Sequence, residues 1–281
     1  MATKKIVIDL LANEESLSMG SNSNFNITNY KGFESSDYQI SYKLSAQVDT
    51  STITARKVLP REITIEAECT DSLLKDRILS FFNPKNTGKM TVELNDNKRW
   101  IGYEVKSFKI KQDTLYHPIA FIVTFLCPQP FFLDMDDFGK DIASTQELFA
   151  FPFVWQIGRD FVTDYRRFST NFLVVNGGDV DTGMKFEFYA KDTVVNPQMR
   201  TDDGSYIRVL TTMQKGDLLE INTNTGQKAI YLNGTNITNR LDRTSNFIGL
   251  KVGKNVLTYT ADSGYLHLSV RLFYRPMYLG V

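Results

Sequence analysis

The sequence predicts a mainly β protein built from two β-rich domains with one convincing helix. Apolar and polar residues alternate along several stretches, such as Ile63–Cys69 and Phe121–Cys127, and this period of two places one side of a strand on a core. Turn signals recur between these stretches, including Asn176-Gly177-Gly178 and Asn233-Gly234, because Asn and Gly tolerate the positive φ of tight hairpins. Strands at such spacing are typical of a sandwich or a barrel.

Further strands follow from the same pattern. Phe172–Val175 and Met184–Tyr189 flank Gly177-Gly178, and a hairpin turn is the better interpretation of these glycines because the residues and the helix of a phosphate-binding loop are missing. Near the end of the chain, the alternate apolar residues from Leu266 to Tyr274 are expected to share a core face. His267 is then expected on the opposite, polar face.

One helix is predicted over Ser72–Phe82, because apolar residues recur there at helical spacing. Its apolar face is expected to hold Leu74, Ile78, Leu79 and Phe82. Thr70 or Asp71 is a suitable N-cap, and Asn83-Pro84 ends the helix. A weaker helix is predicted over Asp141–Leu148.

The clearest domain boundary is Cys127-Pro128-Gln129-Pro130, because its two prolines end a strand and the alternation stops there. The acid-rich stretch Asp134–Asp141 that follows is interpreted as an exposed connection. We therefore predict a first domain over 1–132, a connecting segment leading into the second domain over 133–170, and a second domain over 171–281. The C-terminal segment of the second domain is able to pack back on the first.

Composition excludes several functional classes. The chain has 281 residues and 42% hydrophobic content, enough for two folded cores. Lys+Arg and Asp+Glu are both 32, whereas proteins that bind nucleic acid through phosphates carry a basic surplus. Cys69 and Cys127 are too few for a disulfide scaffold and are expected to be buried free thiols. The sequence contains neither a signal peptide nor a membrane-spanning apolar run, so we expect a soluble protein made in the cytoplasm.

The search for chemistry is negative. His117, expected in a loop before Pro118, and His267 have no Cys or acidic residue at metal-ligand spacing. The acidic residues of Asp134–Asp141 do not follow the order of a calcium loop and lack its closing Glu. We therefore predict no catalytic, cofactor-binding or metal-binding residues, no cofactor, and a protein that is not an enzyme.

Three stretches together resemble the phage distal tail (Dit, or siphovirus tail component) family. The first is Phe121–Phe132, an apolar strand that ends in Cys-Pro-Gln-Pro-Phe-Phe. The second is Phe172–Phe188, with its strand, Asn-Gly-Gly turn and returning strand. The third and most specific runs from Lys215-Gly216-Asp217 through the Asn233-Gly234 turn to Leu250–Tyr259, and the closing Arg275–Val281 is also similar.

The resemblance implies a fold and a role. The first domain would be a tail-tube-like β-sandwich or barrel that packs into a hexameric ring, and the second a galectin-like β-sandwich outside that ring. The protein would be a structural hub in the virion, at the distal tip of a long non-contractile tail. Its implied partners are the tail tube protein, the tail-associated (Tal) protein, the tape measure protein and, in some relatives, a receptor-binding or baseplate protein. Neither a membrane nor a specific nucleic acid sequence is implied.

The residues themselves are compatible with ring assembly. Identical subunits close into rings through head-to-tail interfaces, and unpaired strand edges can continue a sheet across subunits. Ile122 and Leu126, on the face opposite Phe121 and Phe125, are candidates for such a contact, although they can equally lie under the helix.

Two other functions stay open at this point. A carbohydrate-binding adhesin recognising host cell-wall glycans would need an exposed aromatic platform, and Trp100 and Trp155 are the only tryptophans. A cell-wall hydrolase would need a pair of carboxylates, and no pair stands out among the 32 acidic residues.

Overall fold

The computed structural model describes residues 6–21, 23–44, 50–69, 71, 75–95, 97–114, 117–135, 138–141 and 171–281. The chain divides into two compact units. The first contains Met1–Met135 together with the C-terminal Met277–Val281, and the second contains Asp136–Pro276. That each unit folds independently stays a prediction.

The first part of the chain forms ten strands and one helix within the described residues. In chain order they are β1 (Ile6–Ala12), β2 (Glu15–Gly20), β3 (Phe25–Lys31), β4 (Tyr38–Leu44), β5 (Ser51–Val58), β6 (Arg61–Cys69), α1 (Lys75–Phe81), β7 (Thr87–Leu94), β8 (Asn97–Thr114), β9 (His117–Cys127) and β10 (Phe132–Asp134).

The second part contributes shorter strands. They are β11 (Phe138–Asp141), β12 (Asn171–Asn176), β13 (Met184–Ala190), β14 (Val194–Val195), β15 (Gln198–Thr201), β16 (Tyr206–Arg208), β17 (Thr212–Met213), β18 (Leu218–Asn222), β19 (Ala229–Leu232), β20 (Thr235–Asn236), β21 (Gly253–Thr260), β22 (Leu268–Tyr274) and β23 (Met277–Tyr278), with short 3-10 helices at Thr238–Arg240 and Tyr265–His267.

The first unit is organised by one nine-stranded sheet in the order β2-β1-β7-β8-β9-β6-β3, with β10 and β23 attached beside β8. Strand β8 is long enough to pair with β7 through its first half and with β9 through its second half. The described strands do not close, because β2 and β3 stand at opposite ends of the order. The prediction of a mainly β chain is therefore confirmed, and the first unit is not a closed barrel.

Alternation along these strands builds the core of the first unit. In β6 the odd-numbered residues from Ile63 to Cys69 are buried and the residues between them are partly exposed, as the sequence predicts. The same holds for Phe121, Val123 and Phe125 of β9. Burial of such side chains contributes roughly 1.5–3 kcal/mol each.

Helix α1 covers the same core face. Phe82 follows the helix and packs against Phe108, Phe121 and Phe125, with ring centroids 5.1, 5.9 and 6.1 Å apart. The described helix begins at Lys75, and residues 72–74 lie outside the description.

One predicted position on the helix is wrong. Leu79 was expected on the apolar face but is 46% exposed, whereas Phe81 is buried. The helix ends at Phe81, so the chain turns there, and Phe81 and Phe82 both reach the core, with their ring planes 86° apart.

A buried arginine holds four segments of the first unit together. Arg61, the first residue of β6, is 2% exposed. Its Nε donates to the carbonyl of Pro130 and its Nη1 to those of Gly32 and Glu34, each at 2.7 Å, and its Nη2 donates to the carbonyl of Leu279. Burial lowers the pKa of the guanidinium, and the four carbonyl dipoles stabilise its charge.

The C-terminal strand β23 belongs to the first unit. Phe132 and Leu133 of β10 pair with Tyr278 and Met277 of β23. Arg99 lies 3.5 Å from the centroid of the Tyr278 ring and also donates to the carbonyl of Gly280. The chain segments that lead into and out of the second unit are thus neighbouring strands of one sheet.

The second unit is a sandwich with one apolar core. One sheet has the order β11-β22-β13-β18-β19-β20 and the other β12-β21-β15-β16. Both sheets contribute to the core, for example Phe186 and Leu219 from the first and Met199 and Leu257 from the second, all 0% exposed. The galectin-like character of this sandwich stays a prediction.

The hairpin predicted around Gly177-Gly178 is wrong. Strand β12 pairs with β21, whereas β13 pairs with β18 and β22, so the segment between them carries the chain from one sheet to the other. Asn176 explains the change of direction: it is buried, accepts a hydrogen bond from the Gly178 amide and donates to the carbonyls of Val180 and Leu250. A turn signal alone does not say which strands pair.

Other sequence predictions also need correction. The stretch Asp134–Asp141 is not only an exposed connection, because it contains β11, which pairs with β22. Leu266 and His267 precede β22 in a 3-10 helix, and Leu266 is exposed. His117 begins β9 instead of lying in a loop. The predicted helix after Asp141 lies outside the described residues.

Both cysteines are buried free thiols, as predicted. Cys127 is 0% exposed, and burial raises the pKa of its thiol to about 12. Burial also raises the pKa of Cys69. The reactive thiolate is therefore scarce at neutral pH.

We expect Arg61→Met to lower the free energy of unfolding of the first unit by about 3 kcal/mol or more, because four carbonyls lose their donor. Arg77→Met is the matched control, since Arg77 is exposed and makes a 3.3 Å bond to the Ser16 carbonyl; its effect should stay within about 0.5 kcal/mol. Thermal and chemical denaturation measure both. Equal stability of the two variants would contradict the role of Arg61.

We expect Ellman's reagent to leave Cys69 and Cys127 unmodified in the native protein at neutral and mildly alkaline pH, because their raised pKa values disfavour the thiolate. Both should react after denaturation. The reaction is measured by absorbance at neutral pH. Rapid labelling of the native chain would contradict the prediction, because it would show that the thiols are accessible.

Candidate interaction surface

The most unusual surface of the first unit is an isolated two-stranded hairpin. Strands β4 and β5 pair only with each other among the described strands. We call the pair Tyr38–Leu44 and Ser51–Val58 the ribbon. Every residue of β4 and every residue of β5 before Val58 is exposed. A lone two-stranded hairpin is marginally stable in water.

The ribbon has one apolar face. Residues paired directly across the two strands lie on the same side, and the pairing gives two faces. The first face, which we call the apolar face, holds Tyr38, Ile40, Tyr42, Leu44, Ser51, Ile53, Arg56 and Val58. The opposite, polar face holds Gln39, Ser41, Lys43, Thr52, Ala55 and Lys57.

A β-bulge makes this segregation possible. Ile53 and Val58 are five positions apart in β5, so strict alternation would put them on opposite sides. The register shifts where Ser41 pairs with Ala55 and Tyr42 with Ile53, which leaves Thr54 as the extra residue. The Thr54 hydroxyl donates to the Ser41 carbonyl at 3.1 Å. The bulge therefore places Ile53 beside Tyr42 on the apolar face.

The apolar face is uncovered in the single chain. Tyr38, Ile40, Tyr42, Leu44 and Ile53 are 51%, 51%, 60%, 78% and 48% exposed, respectively. Single exposed apolar residues are ordinary, but a contiguous group of this kind marks an interaction site. The ribbon also has two outer strand edges whose backbone groups can pair with another strand.

The base of the ribbon is fixed. Residues 32–37, which connect β3 to β4, are the first leg of the ribbon, and residues 59–60, between β5 and β6, are the second. Gly32 has φ +91°, and a Cβ there would lie 2.2 Å from the Glu62 carbonyl oxygen, so only glycine fits. The Arg61 guanidinium donates to the carbonyls of Gly32 and Glu34 in the first leg. Arg61 itself is the residue that directly follows the second leg. Both legs of the ribbon are thus anchored to the same buried guanidinium.

The structure places Ile122 and Leu126 on the outer face of the β6–β9–β8 sheet. Ile122 pairs with Glu66, and Leu126 pairs with Glu62 and Glu104. Both are half-buried. The possibility that they lie under the helix is wrong, because α1 covers the opposite face; their role in an interface stays a prediction.

The sequence analysis did not identify the ribbon. Its signal is the alternation Tyr38, Ile40, Tyr42, Leu44, which follows the same rule as the core strands. That rule predicts one apolar face but does not say whether the face meets the chain's own core or another molecule.

The described residues offer little support for catalysis. The carboxyl groups whose pKa departs from its ordinary range in this part of the chain all shift downward: Glu66, Asp203, Asp217, Asp242 and Asp262. The general acid of a glycoside hydrolase needs a raised pKa.

A pocket lined by several polar residues lies in the second unit. It has a volume of about 190 Å³ and is lined by residues that include Asp181, Asp203 and Lys251. Asp203 accepts a 2.6 Å hydrogen bond from the Thr201 hydroxyl and pairs with Lys251 at 2.9 Å, and these bonds lower its pKa. The Asp203 carboxylate therefore already has hydrogen-bond and ion-pair partners within the protein.

His117 begins β9 and His267 ends a 3-10 helix. In the described residues, the tryptophans do not form an exposed aromatic platform. Trp100 is half-buried; it donates to the Asp134 carbonyl at 2.9 Å and lies beneath Lys89. Trp155 lies outside the description. Within the described residues, no three His, Cys, Asp or Glu side chains are grouped to hold a metal ion. No described helix is long and apolar enough to cross a membrane.

Comparison with known proteins gives a family match within the second unit. Residues 177–278 match the model of the siphovirus-type tail component, C-terminal domain. The second unit therefore contains a siphovirus-type tail component domain, and the resemblance to phage distal tail proteins is confirmed. No curated protein sequence matches the chain.

Solved structures extend the likeness over the whole chain. The crystal structure of the SPP1 Dit (gp 19.1) protein, described as a paradigm of hub adsorption apparatus in Gram-positive infecting phages, has a TM-score of 0.70 at 14% identity and covers 97% of this chain and 100% of its own. The activated phage P2 baseplate with Ca gives a TM-score of 0.50 at 9% identity, and the one with Sr gives 0.51 at 10%; each comparison covers 98% of both chains. At these identities the likeness concerns the fold.

Substitution on the ribbon should leave the single chain stable. We expect Tyr42→Asp to change the free energy of unfolding of the dissociated chain by less than about 0.5 kcal/mol, because Tyr42 is exposed. Ile65→Asp, at a position that is 0% exposed, should cost roughly 4 kcal/mol or more and prevent folding. Circular dichroism melts of dilute protein measure both, and a large loss in Tyr42→Asp would mean that the ribbon supports the core.

Proposed function

We propose that six copies of this chain form a ring that acts as a structural hub at the distal end of a long non-contractile phage tail. The ring joins the tail tube protein to the tail-associated protein, next to the tape measure protein. A receptor-binding or baseplate protein attaches to it where the phage has one. The protein works without catalysis and resides at the tail tip of the virion.

The observation that carries the proposal is the uncovered ribbon. Most apolar side chains of the strands are buried in two cores, whereas five large apolar side chains on one face of one hairpin are 48–78% exposed. Folding of one copy gains nothing from that surface, so the surface serves assembly. The tail component domain and the likeness in fold to SPP1 Dit support a tail hub as the assembly.

The charge of the chain is compatible with self-association. Its 32 basic and 32 acidic residues cancel, and copies without net charge do not repel one another at long range. The same balance argues against a hub that holds DNA through its phosphates. The joints between copies therefore carry the function.

The proposal predicts the mass of the purified full-length chain. Native mass spectrometry should give about 193 kDa, six times the 32.1 kDa of one copy, and negative-stain images should show rings with a central opening. A protein that stays a single chain at every accessible concentration would overturn the proposal. So would peptidoglycan clearing by the purified protein that is lost on changing one carboxylate.

A further inference from the structure

We infer that the second unit carries a binding pocket for one neutral pyranose ring of a glycan. The pocket, which we call the polar pocket, is lined by residues that include Asp181, Asp203, Ser205, Asn246, Phe247 and Lys251. The inference goes beyond the proposed function, because a hub can assemble without a sugar site. It uses only side chains of the second unit.

One wall of the polar pocket is the tight turn between β15 and β16. The Thr201 hydroxyl donates to the Asp203 carboxylate at 2.6 Å, and the Ser205 amide donates to the same carboxylate at 2.9 Å. The Thr201 bond, the Lys251 ammonium and the Ser205 amide lower the pKa of Asp203, so this carboxyl is ionised at neutral pH. The turn therefore holds a carboxylate in a fixed position before a ligand arrives.

A second wall is the loop that leads into β21. Asn255 is 4% exposed and fixes this loop, because its side chain accepts from the Lys251 amide and donates to the Lys251 carbonyl, both at 2.8 Å. The Asp181 carboxylate accepts from the Val252 amide at 3.0 Å. The Lys251 ammonium meets the Asp203 carboxylate at 2.9 Å and so joins the two walls. The polar groups are thus preorganised, which reduces the entropic cost of binding.

The charges of the polar pocket disfavour a free ion as its occupant. Lys251 pairs with Asp203, and the charge of Asp181 also acts on Lys251. A divalent cation would have to displace the ammonium, and an anion would meet the carboxylates of Asp181 and Asp203. A neutral ligand leaves the ion pair in place and can bond to its remaining N–H and oxygen atoms. The geometry therefore selects a ligand that is neutral and polar.

The groups left over in the polar pocket match a pyranose. The Asn246 side chain makes no hydrogen bond within the described residues, so it offers both an acceptor and a donor. Phe247 is half-buried, and the Lys228 ammonium lies over its ring, 5.5 Å from the centroid, which leaves the rest of the ring for a ligand. A pyranose has hydroxyls around its rim and C–H bonds on its faces. It therefore needs hydrogen-bonding groups beside an apolar surface.

The size of the polar pocket limits the occupant to one small ring. Its volume is about 190 Å³, which is below the roughly 300–1,000 Å³ of pockets that enclose drug-sized ligands. Asn246 and Gly249 are exposed, so the pocket opens to solvent, and the next sugar of a glycan can continue outside. A single ring held by a few hydrogen bonds should bind with a dissociation constant on the order of 1 mM.

Saturation-transfer-difference NMR on the full-length protein tests the inference, with the methyl glycosides of glucose, galactose and N-acetylglucosamine as probes. We expect at least one glycoside to bind with a dissociation constant on the order of 1 mM. A disaccharide of that sugar should bind no more weakly, whereas calcium chloride, sodium sulfate and glycine should not displace it at equal concentration. The inference is wrong if no glycoside gives a signal, if an ion or glycine displaces it, or if every such disaccharide is excluded.

Two matched pairs of variants locate the bound sugar. Asn246→Ala and Lys251→Met remove polar groups of the pocket, whereas Asn239→Ala and Lys254→Met make the same changes at exposed positions outside it. We expect each pocket variant to weaken sugar binding by roughly fivefold or more, since it loses a hydrogen bond. The controls should stay within about twofold of the unchanged protein.

Circular dichroism verifies that all four variants are folded. Equal sugar binding by the pocket variants and their controls would place the sugar elsewhere and overturn the inference. Ring formation is measured separately, by native mass spectrometry, and does not involve the polar pocket. A protein that forms rings but binds none of the glycosides would therefore refute the sugar site and leave the proposed function standing.

Discussion

The buried guanidinium of Arg61 is the interaction on which the arrangement of the first unit depends. It joins the leg before β4, the connection after β9 and the C-terminal tail through four carbonyl bonds. A buried cation is costly unless its donors are satisfied, and here carbonyl dipoles supplied by three distant segments satisfy them. None of these segments can leave its place without exposing a donor of Arg61 to an apolar interior.

The same guanidinium explains why the C-terminal tail lies in the first unit. Leu279 gives its carbonyl to Arg61, and Tyr278 is stacked under Arg99. With β10 and β23 paired, the chain leaves for the second unit and returns from it through adjacent strands. The tail is thus a structural part of the first unit and the closing segment of the sequence.

Much of the fold follows from local pattern. Alternation identified β6 and β9, with Ile63, Ile65, Phe121 and Phe125 in the core, because period-two burial is a property of each strand alone. Pairing between distant strands is not a local property of the sequence. The prediction of a hairpin at Gly177-Gly178 was therefore wrong, because β12 and β13 each pair with other strands. The buried position of Arg61 could not be predicted from the sequence either, because its four acceptors are backbone carbonyls, which any residue can supply.

The candidate surface shows a different limit of sequence reasoning. The alternation from Tyr38 to Leu44 has the same form as that of a core strand, and only the fold reveals that no core lies beneath it. Even with the strand known, the apolar character of β5 is hidden, because Ile53 and Val58 fall out of phase until the bulge at Thr54 brings them together. The position of a bulge depends on the register of the partner strand, and this register cannot be read from the sequence.

Arg61 and the ribbon are physically connected, and this connection affects how firmly the ribbon can bind a partner. A flexible hairpin would lose conformational freedom when it docked, at roughly 1–2 kcal/mol for each backbone residue ordered. Here the legs are already anchored at Gly32, Glu34 and Arg61, and the two strands are already hydrogen-bonded along their length. Part of the ordering cost is therefore met during folding, and more of the apolar contact energy remains for association. The buried arginine at its base therefore keeps the ribbon in shape before any partner arrives.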